Sequence, residues 1–234
     1  MPSKKICVSA EYIWVHDNEL CSKTRTIQIQ GIEELEVKNI SKWHYNDGDE
    51  KITLLPLNIF SCPFRGQNGI LVYCKTGNTK LSVKNPQGTY AFSQEYYIIN
   101  PNTTRPYGFT VHANPSATLN YTSGVGLEKC TGRKFADLHY KLCLVSGISI
   151  SEMTCSDRPS KWRYTVKTTT PNDLSSHMWM TRYILHRVGE NCNVVMDINP
   201  QDLTSKYWSA TKCTLTKNGD DTIHDGDCDV NNIL

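Results

Sequence analysis

Residues 62–74 read CPFRGQNGILVYC, and this stretch combines the two features that decide the predicted fold: paired cysteines and a turn signal between apolar residues. The turn residues are Gln67-Asn68-Gly69, and glycine and asparagine readily adopt the left-handed backbone that hairpin loops need. A three-residue loop there would place Cys62 directly opposite Cys74, at a Cα spacing that a disulfide tolerates. The stretch therefore predicts a β-hairpin closed by a Cys62–Cys74 disulfide.

The chain has 10 cysteines among 234 residues, and they form two groups separated by a long stretch without cysteine. The first group is Cys7, Cys21, Cys62 and Cys74, and the second is Cys130, Cys143, Cys155, Cys192, Cys213 and Cys228. Each group is even and no Cys-x-x-Cys pair occurs, a pattern typical of secreted proteins with disulfides. We expect all the cysteines to be oxidised, with no bridge between the groups. The alternative is a cytosolic protein with reduced thiols.

Turn signals rich in Asn, Gly and Pro recur along the chain and separate short apolar or alternating runs, such as Ile52–Leu57, Ile70–Cys74 and Tyr96–Ile99. Short strands at this spacing are typical of a β-sandwich or barrel. The predicted fold class is mainly β, a disulfide-stabilised antiparallel sandwich or barrel with one or two short helices in the C-terminal half.

The two helix candidates carry apolar residues at helical spacing, each followed by a glycine that would end the helix. The first set is Phe135, Leu138, Leu142 and Val145, before Gly147; the second is Leu174, Met178, Leu185 and Val188 with Thr181 at the same spacing, before Gly189. Both stretches also alternate tolerably as strands, and the helix is favoured more clearly for the first.

The grouping of the cysteines predicts two β domains, residues 1–112 with four cysteines and residues 113–234 with six. A local repeat supports a duplication, because Ser41-Lys42-Trp43-His44-Tyr45 recurs as Ser160-Lys161-Trp162-Arg163-Tyr164. One larger unit with coincidental spacing is the alternative.

If both copies of the repeat are strands, alternation buries the tryptophan and tyrosine and exposes the basic residues. The candidate binding residues are Lys42, His44, Lys161, Arg163 and Lys167. A basic strip of this kind suits an acidic glycan or an acidic protein surface. The plainer interpretation is a solvated face over a core aromatic pair.

Other classes of site are disfavoured. The net charge of +2 lacks the basic excess of a nucleic-acid binder, and no apolar run reaches the ~20 residues of a membrane span. No catalytic, phosphate-binding or zinc motif occurs, so no catalytic residue, metal or cofactor is predicted. The acidic tail 220–229 lacks two ligands of a calcium-binding EF-hand loop. Glycosylation sequons begin at Asn39, Asn102 and Asn120.

These features together predict a secreted, disulfide-rich binding protein rather than an enzyme. No apolar leader follows Met1, so we expect a mature chain that has lost its signal peptide. A pathogen surface antigen, a secreted effector or a decoy acting on a host protein or glycan fits this pattern, and a lectin-like glycan binder is a variant of it. The alternative is a secreted hydrolase, ribonuclease-like or glycosidase-like, with a site assembled from distant His and Asp residues.

Overall fold

The computed structural model describes residues 5–31, 35–76, 88–110, 112–200, 207–219 and 221–226. These residues form twelve strands and two α-helices. The elements in chain order are β1 (Ile6–His16), β2 (Glu19–Ile29), β3 (Trp43–Asp47), β4 (Glu50–Ser61), β5 (Gly69–Thr76), β6 (Tyr90–Asn100), β7 (Arg105–Pro106), α1 (Arg133–Val145), β8 (Ile150–Cys155), β9 (Lys161–Thr168), α2 (Pro171–Cys192), β10 (Val195–Asp197), β11 (Cys213–Lys217) and β12 (Asp221–Gly226). The prediction of a mainly β chain with two helices is confirmed.

The chain divides into two compact units. The first comprises Met1–Ser82 with Val145–Ile148, and the second comprises Val83–Leu144 with Ser149–Leu234. The main division therefore falls near residue 82 and not at residue 112, because β6 pairs with strands that come after it in the chain. Whether the two units fold independently stays a prediction.

The first unit contains a five-stranded sheet with the order β2-β1-β5-β4-β3. β1 and β2 form a hairpin whose turn residues, Asp17 and Asn18, both have positive φ, the backbone that matches the strand twist of a tight hairpin. β1 and β5 run parallel. The sheet is therefore mixed, whereas an antiparallel sheet was predicted. Its buried core includes Tyr12, Leu54 and Val72.

The second unit contains a seven-stranded sheet built on β6, with the order β12-β11-β6-β9-β8 and with β7 and β10 also paired to β6. Its strand pairs are antiparallel. The helix α2 packs against β6, β9 and β10. The two sheets therefore differ in strand order and in strand direction, which does not support the predicted duplication.

Both helix candidates form helices, and the predicted glycine stop is observed for α1. α1 ends at Val145, and Gly147 follows with a φ of +79°, which is the left-handed conformation that glycine adopts without strain. α2 begins after Thr170, whose hydroxyl oxygen accepts a hydrogen bond from the Asp173 N–H at 3.2 Å. This is the arrangement of an N-terminal cap.

α2 does not end at Gly189 as predicted. It continues to Cys192, and Asn193 ends it with a φ of 52°. A Cβ atom at residue 189 would lie 2.7 Å from the carbonyl oxygen of Val194. Glycine stands there because the chain leaving the helix passes close to its backbone, and not because the helix ends there.

The nine cysteines among the described residues are free thiols, and Cys228 lies outside those residues. Disulfide stabilisation is therefore not supported. The Cys62–Cys74 bridge fails because the connection between β4 and β5 is longer than predicted: Ser61 pairs with Ile70, and the Cys62 N–H donates to the Gly69 carbonyl at 3.0 Å. Cys74 lies opposite Pro56 instead.

Candidate functional site

The buried polar side chains of the second unit are organised by the pairing of β6 with β9. Tyr97 is in register with Lys161, and Glu95 is in register with Arg163. Directly opposed residues of antiparallel strands lie on one face of the sheet, as do residues two apart along a strand. Glu95, Tyr97 and Lys161 therefore share one face.

The Lys161 side chain ends in a cage of four oxygen atoms. Its Nζ lies 2.8 Å from Glu95 Oε2, 3.0 Å from Asp157 Oδ1, 2.9 Å from Ser209 Oγ and 2.9 Å from the carbonyl oxygen of Ala210. Only 3% of the Lys161 side chain is exposed. We call these four oxygens, with the ammonium they surround, the Lys161 cage.

The two carboxylates of the cage are held by further hydrogen bonds. Glu95 Oε1 accepts from the Ser156 hydroxyl at 2.5 Å, and Glu95 Oε2 accepts from the Lys212 N–H at 3.0 Å. The Ser209 hydroxyl donates to Asp157 Oδ2 at 3.1 Å. Burial raises the pKa of Asp157, but the hydrogen bond and the charge of Lys161 outweigh it and hold that pKa below its usual value.

A cavity of about 340 Å³ borders the Lys161 cage. It is lined by Pro115, Ser116, Ala117, Leu119, Tyr121, Arg158 and Tyr207. One lining residue approaches the cage directly, since Arg158 Nη1 lies 3.7 Å from Asp157 Oδ2, and a second, Tyr207, lies two residues before Ser209 in the chain. Cavities of this size accommodate small-molecule ligands.

Arg158 is the cation of this cavity. Its Nη1 donates to the backbone carbonyl of Asp157 at 2.9 Å and lies 3.7 Å from Asp157 Oδ2. Its buried Nε atom has no hydrogen-bond partner among the described residues. A guanidinium that lines an otherwise mainly apolar cavity favours an anionic ligand such as a carboxylate or a phosphate.

The predicted basic strip does not form as expected. Trp162 and Tyr164 are buried, as alternation predicts, and Arg163 and Lys167 are exposed. Lys161, however, is 2% exposed and occupies the cage, because the carboxylates of Glu95 and Asp157 offset the cost of burying its charge. A binding role for Arg163 and Lys167 stays a prediction.

Lys42 and His44 belong to the first unit. Lys42 is exposed and precedes β3, whereas His44 lies within β3 and is half-buried. No finding tests a binding role for either residue. The sequon residues Asn39, Asn102 and Asn120 are exposed, and their glycosylation is equally untested.

His139 of α1 and His177 of α2 each make a hydrogen bond with a backbone atom of another segment. His139 is fully buried, and its Nε2 lies 3.1 Å from the carbonyl oxygen of Thr181. His177 Nδ1 accepts the Ser149 N–H at 2.9 Å. Within the described ranges, no group of three or more His, Cys, Asp or Glu side chains is placed to hold a metal ion. The described helices include none long and apolar enough to cross a membrane.

The sequence analysis did not single out Glu95, Asp157, Arg158 or Ser209. One signal for Glu95 was present, because it interrupts the mostly apolar run of β6, YAFSQEYYIIN. A glutamate inside a buried strand is rare unless it is paired. Its partner could not be read from the sequence, since Lys161 is 66 residues away and reaches it only through the β6–β9 register.

Comparison with known proteins indicates a different class from the one predicted. The chain is 31% identical to a chloroplastic glutamine synthetase of Brassica napus, over 95% of this chain and 58% of that protein. It is 32% identical to a chloroplastic/mitochondrial glutamine synthetase of Arabidopsis thaliana, over 88% of this chain and 54% of that protein. The chain thus spans a little over half the length of these relatives. No family model matches it.

The fold comparison agrees. A crystal structure described as a novel glutamine synthase homolog superposes with a TM-score of 0.58, covering 93% of this chain and 56% of that chain, at 11% sequence identity. At that identity the match concerns the fold alone. The fold indicated for this chain is therefore glutamine synthetase-like.

These findings correct the predicted function and localisation. The relatives are glutamine synthetases, so the interpretations as a non-enzymatic binding protein and as a hydrolase are both wrong. Relatives of this chain are named as chloroplastic or cytosolic, so the prediction of a secreted protein is wrong as well. The expected roles in virulence and host interaction, and the extracellular protein or acidic glycan expected as partner, have no support.

Proposed function

We propose that this chain is a glutamine synthetase-like ligase that binds an anionic substrate in the cavity beside the Lys161 cage. The observation that carries the proposal is the similarity to glutamine synthetases over 95% of the chain. That span takes in both units, and with them β6, β9 and the residues that line the cavity.

The chemistry of the cavity supports the same class of reaction. Glutamine is the side-chain amide of glutamate, so its synthesis joins ammonia to a carboxylate. This condensation needs the carboxylate to be activated, for which a nucleoside triphosphate is the usual co-substrate. The carboxylate of glutamate and the phosphates of the nucleoside triphosphate are anions that a guanidinium binds through paired hydrogen bonds. We propose that Arg158 binds one of these anions.

The neighbouring cage keeps Arg158 available for a ligand. Asp157 is the carboxylate nearest to Arg158, but its Oδ1 is bonded to Lys161 at 3.0 Å and its Oδ2 lies 3.7 Å from Arg158 Nη1. Because the Lys161 ammonium is bonded to Asp157 Oδ1, Asp157 is a weaker partner for Arg158 than a bidentate carboxylate would be. A substrate anion would complete its hydrogen bonding.

The test is an assay of glutamine formation by the purified chain, given glutamate, ammonia and a nucleoside triphosphate, with glutamine measured by chromatography. We expect Arg158→Met to lower kcat/KM at least about tenfold, because it removes a charged hydrogen bond to the substrate. The matched control is Arg163→Met, since Arg163 is an exposed arginine that lies five residues further along the chain, in β9; we expect it to leave the rate within about twofold.

Binding is measured in parallel through the rise in Tm on adding glutamate or the nucleoside triphosphate. A wild-type chain that forms no glutamine and shows no saturable rise in Tm with either ligand would refute the proposal. An active chain in which Arg158→Met and Arg163→Met behave alike would keep the ligase class and overturn the role of Arg158.

A further inference from the structure

The walls of the cavity of about 340 Å³ are mainly apolar. Pro115, Ala117 and Leu119 contribute hydrocarbon surface, and Tyr121 and Tyr207 contribute aromatic rings. Displacing water from surface of this kind is favourable when the ligand that replaces the water is itself apolar. The walls therefore favour a ligand whose body is hydrocarbon or aromatic.

Two hydroxyl groups of the cavity walls are already engaged within their own loop. The Tyr121 hydroxyl donates to the carbonyl oxygen of Ser116 at 3.1 Å. The Ser116 hydroxyl oxygen accepts the Thr118 N–H at 3.3 Å and lies 2.9 Å from the Thr118 hydroxyl oxygen. Because a hydroxyl has one donor and two lone pairs, these contacts use much of what Ser116 and Tyr121 could offer to the polar groups of a ligand.

The charge of the cavity suits a single negative group. Arg158 is the cation of the described lining residues, which include no aspartate or glutamate. Asp157 adjoins Arg158, but its Oδ1 accepts from the Lys161 ammonium at 3.0 Å and its Oδ2 accepts from the Ser209 hydroxyl at 3.1 Å. The ammonium group of an amino acid would therefore find no carboxylate among these residues to pair with, and the several charges of a triphosphate would face one guanidinium.

We infer that this cavity binds a monocarboxylic acid with an apolar body, in preference to glutamate and to the nucleoside triphosphate. Arg158 binds the carboxylate, and walls that include Leu119, Tyr121 and Tyr207 enclose the body. The inference rests on the proposed function for the role of the cavity as the site of the substrate acid, and it names the chemical class of that acid. It concerns binding and adds no chemical step.

The test compares four probes on the full wild-type chain by calorimetry. They are 3-phenylpropionate, glutamate, adenosine triphosphate and 3-phenylpropanol, the last having the same body as the first without its charge. We expect the Kd of 3-phenylpropionate to be at least about tenfold lower than that of each other probe, because it alone combines one carboxylate for Arg158 with a body that the apolar walls can enclose.

Two pairs of variants locate the binding site. Leu119→Asn makes one wall polar, and its control is Leu127→Asn, because Leu127 is 84% exposed and does not line the cavity. We expect Leu119→Asn to raise the Kd of 3-phenylpropionate at least about fivefold, and Leu127→Asn to leave it within about twofold. Arg158→Met should raise the same Kd at least about tenfold and leave that of 3-phenylpropanol within about twofold. Arg163→Met is its control and should change neither.

The inference is overturned if glutamate or adenosine triphosphate binds the wild-type chain at least as tightly as 3-phenylpropionate. It is also overturned if Leu119→Asn and Leu127→Asn bind the acid equally, or if Arg158→Met weakens the acid and the alcohol alike. Its failure is separable from that of the proposed function. A chain that forms glutamine without preferring 3-phenylpropionate refutes only this inference. A chain that binds 3-phenylpropionate as expected, but converts neither acid to its amide with ammonia and a nucleoside triphosphate, supports the binding site and contradicts the ligase activity.

Discussion

Arg182 of α2 donates a hydrogen bond to the side-chain carbonyl of Gln94 in β6, and both residues are almost completely buried. The guanidinium also lies over the rings of Phe92 and Trp179, at 5.4 and 5.0 Å from their centroids. Gln94 precedes Glu95, so the two side chains project from opposite faces of the sheet. Arg182 therefore fastens α2 to the strand whose other face carries the Lys161 cage.

Replacing Arg182 with alanine should destabilise the second unit strongly. The change removes the donor to Gln94 and leaves a large cavity beneath α2, for which we expect a loss of roughly 3 kcal/mol in the free energy of unfolding. Urea unfolding followed by circular dichroism measures it. Arg163→Ala on the exposed face is the control and should stay within about 0.5 kcal/mol. Equal losses in the two variants would contradict the anchoring role of Arg182.

Stability should fall as the pH drops from about 6.5 to about 4, in part because of His139. Burial lowers the pKa of His139 from 6.5 to about 4 in the folded chain. The unfolded chain therefore binds a proton that the folded chain refuses across this range, and the stability present at neutral pH is lost on acidification. His177 and His186 also have pKa values lowered by burial and act in the same direction.

The contribution of His139 is isolated by His139→Leu, with the exposed His112→Leu as control. We expect the leucine at residue 139 to reduce the loss of unfolding free energy between pH 6.5 and pH 4 by up to roughly 3 kcal/mol, the value that corresponds to the shift. Unfolding curves at several pH values measure it. An unchanged acid sensitivity in His139→Leu would show that this imidazole is not held neutral.

The cysteines should behave as free thiols whose reactivity follows burial. Alkylation in denaturant without reductant should label all nine described cysteines, whereas in the native chain the exposed Cys7 should react first. Burial raises the pKa of Cys74 and of Cys155 to about 12, and the thiolate is the reactive form. These two should therefore be among the slowest. Mass spectrometry of the labelled peptides provides the measurement.

The same experiment distinguishes the reduced chain from the disulfide-bonded one predicted from cysteine spacing. A reductant should leave the Tm unchanged, because no described cysteine is bridged. Recovery of a peptide in which Cys62 is linked to Cys74 would contradict the observed pairing of Cys74 with Pro56.

The helices were predictable because their signals are local. In α2, Leu174, Met178 and Leu185 repeat at helical spacing and are all fully buried. The strands were predictable as a class from apolar runs and turn residues, but their partners were not. β1 pairs with β5 in parallel, and β6 pairs with β9 across a long separation in sequence. The residues between the paired strands carry no signal from which either pairing could be predicted.

The cysteines show why a compositional argument failed. The number and spacing of cysteines are compatible with either disulfides or free thiols, and the choice depends on the distance between side chains in the folded chain. Cys62 and Cys74 appeared opposed because a three-residue loop was assumed. The connection is longer and shifts the register, so the two thiols lie at unrelated positions of the hairpin.

The sequence by itself determined the mainly β class and favoured a helix at both sites where one forms, because each depends on periodicity within about twenty residues. Tertiary structure alone decided the candidate site. From the sequence, Lys161 was predicted to be an outward-facing basic residue on an alternating strand. Glu95 is an isolated acidic residue within a mostly apolar run. They meet because the β6–β9 register sets them diagonally on one face, where each makes the other's burial tolerable. This pairing depends on the folded sheet and cannot be inferred from either stretch of sequence alone.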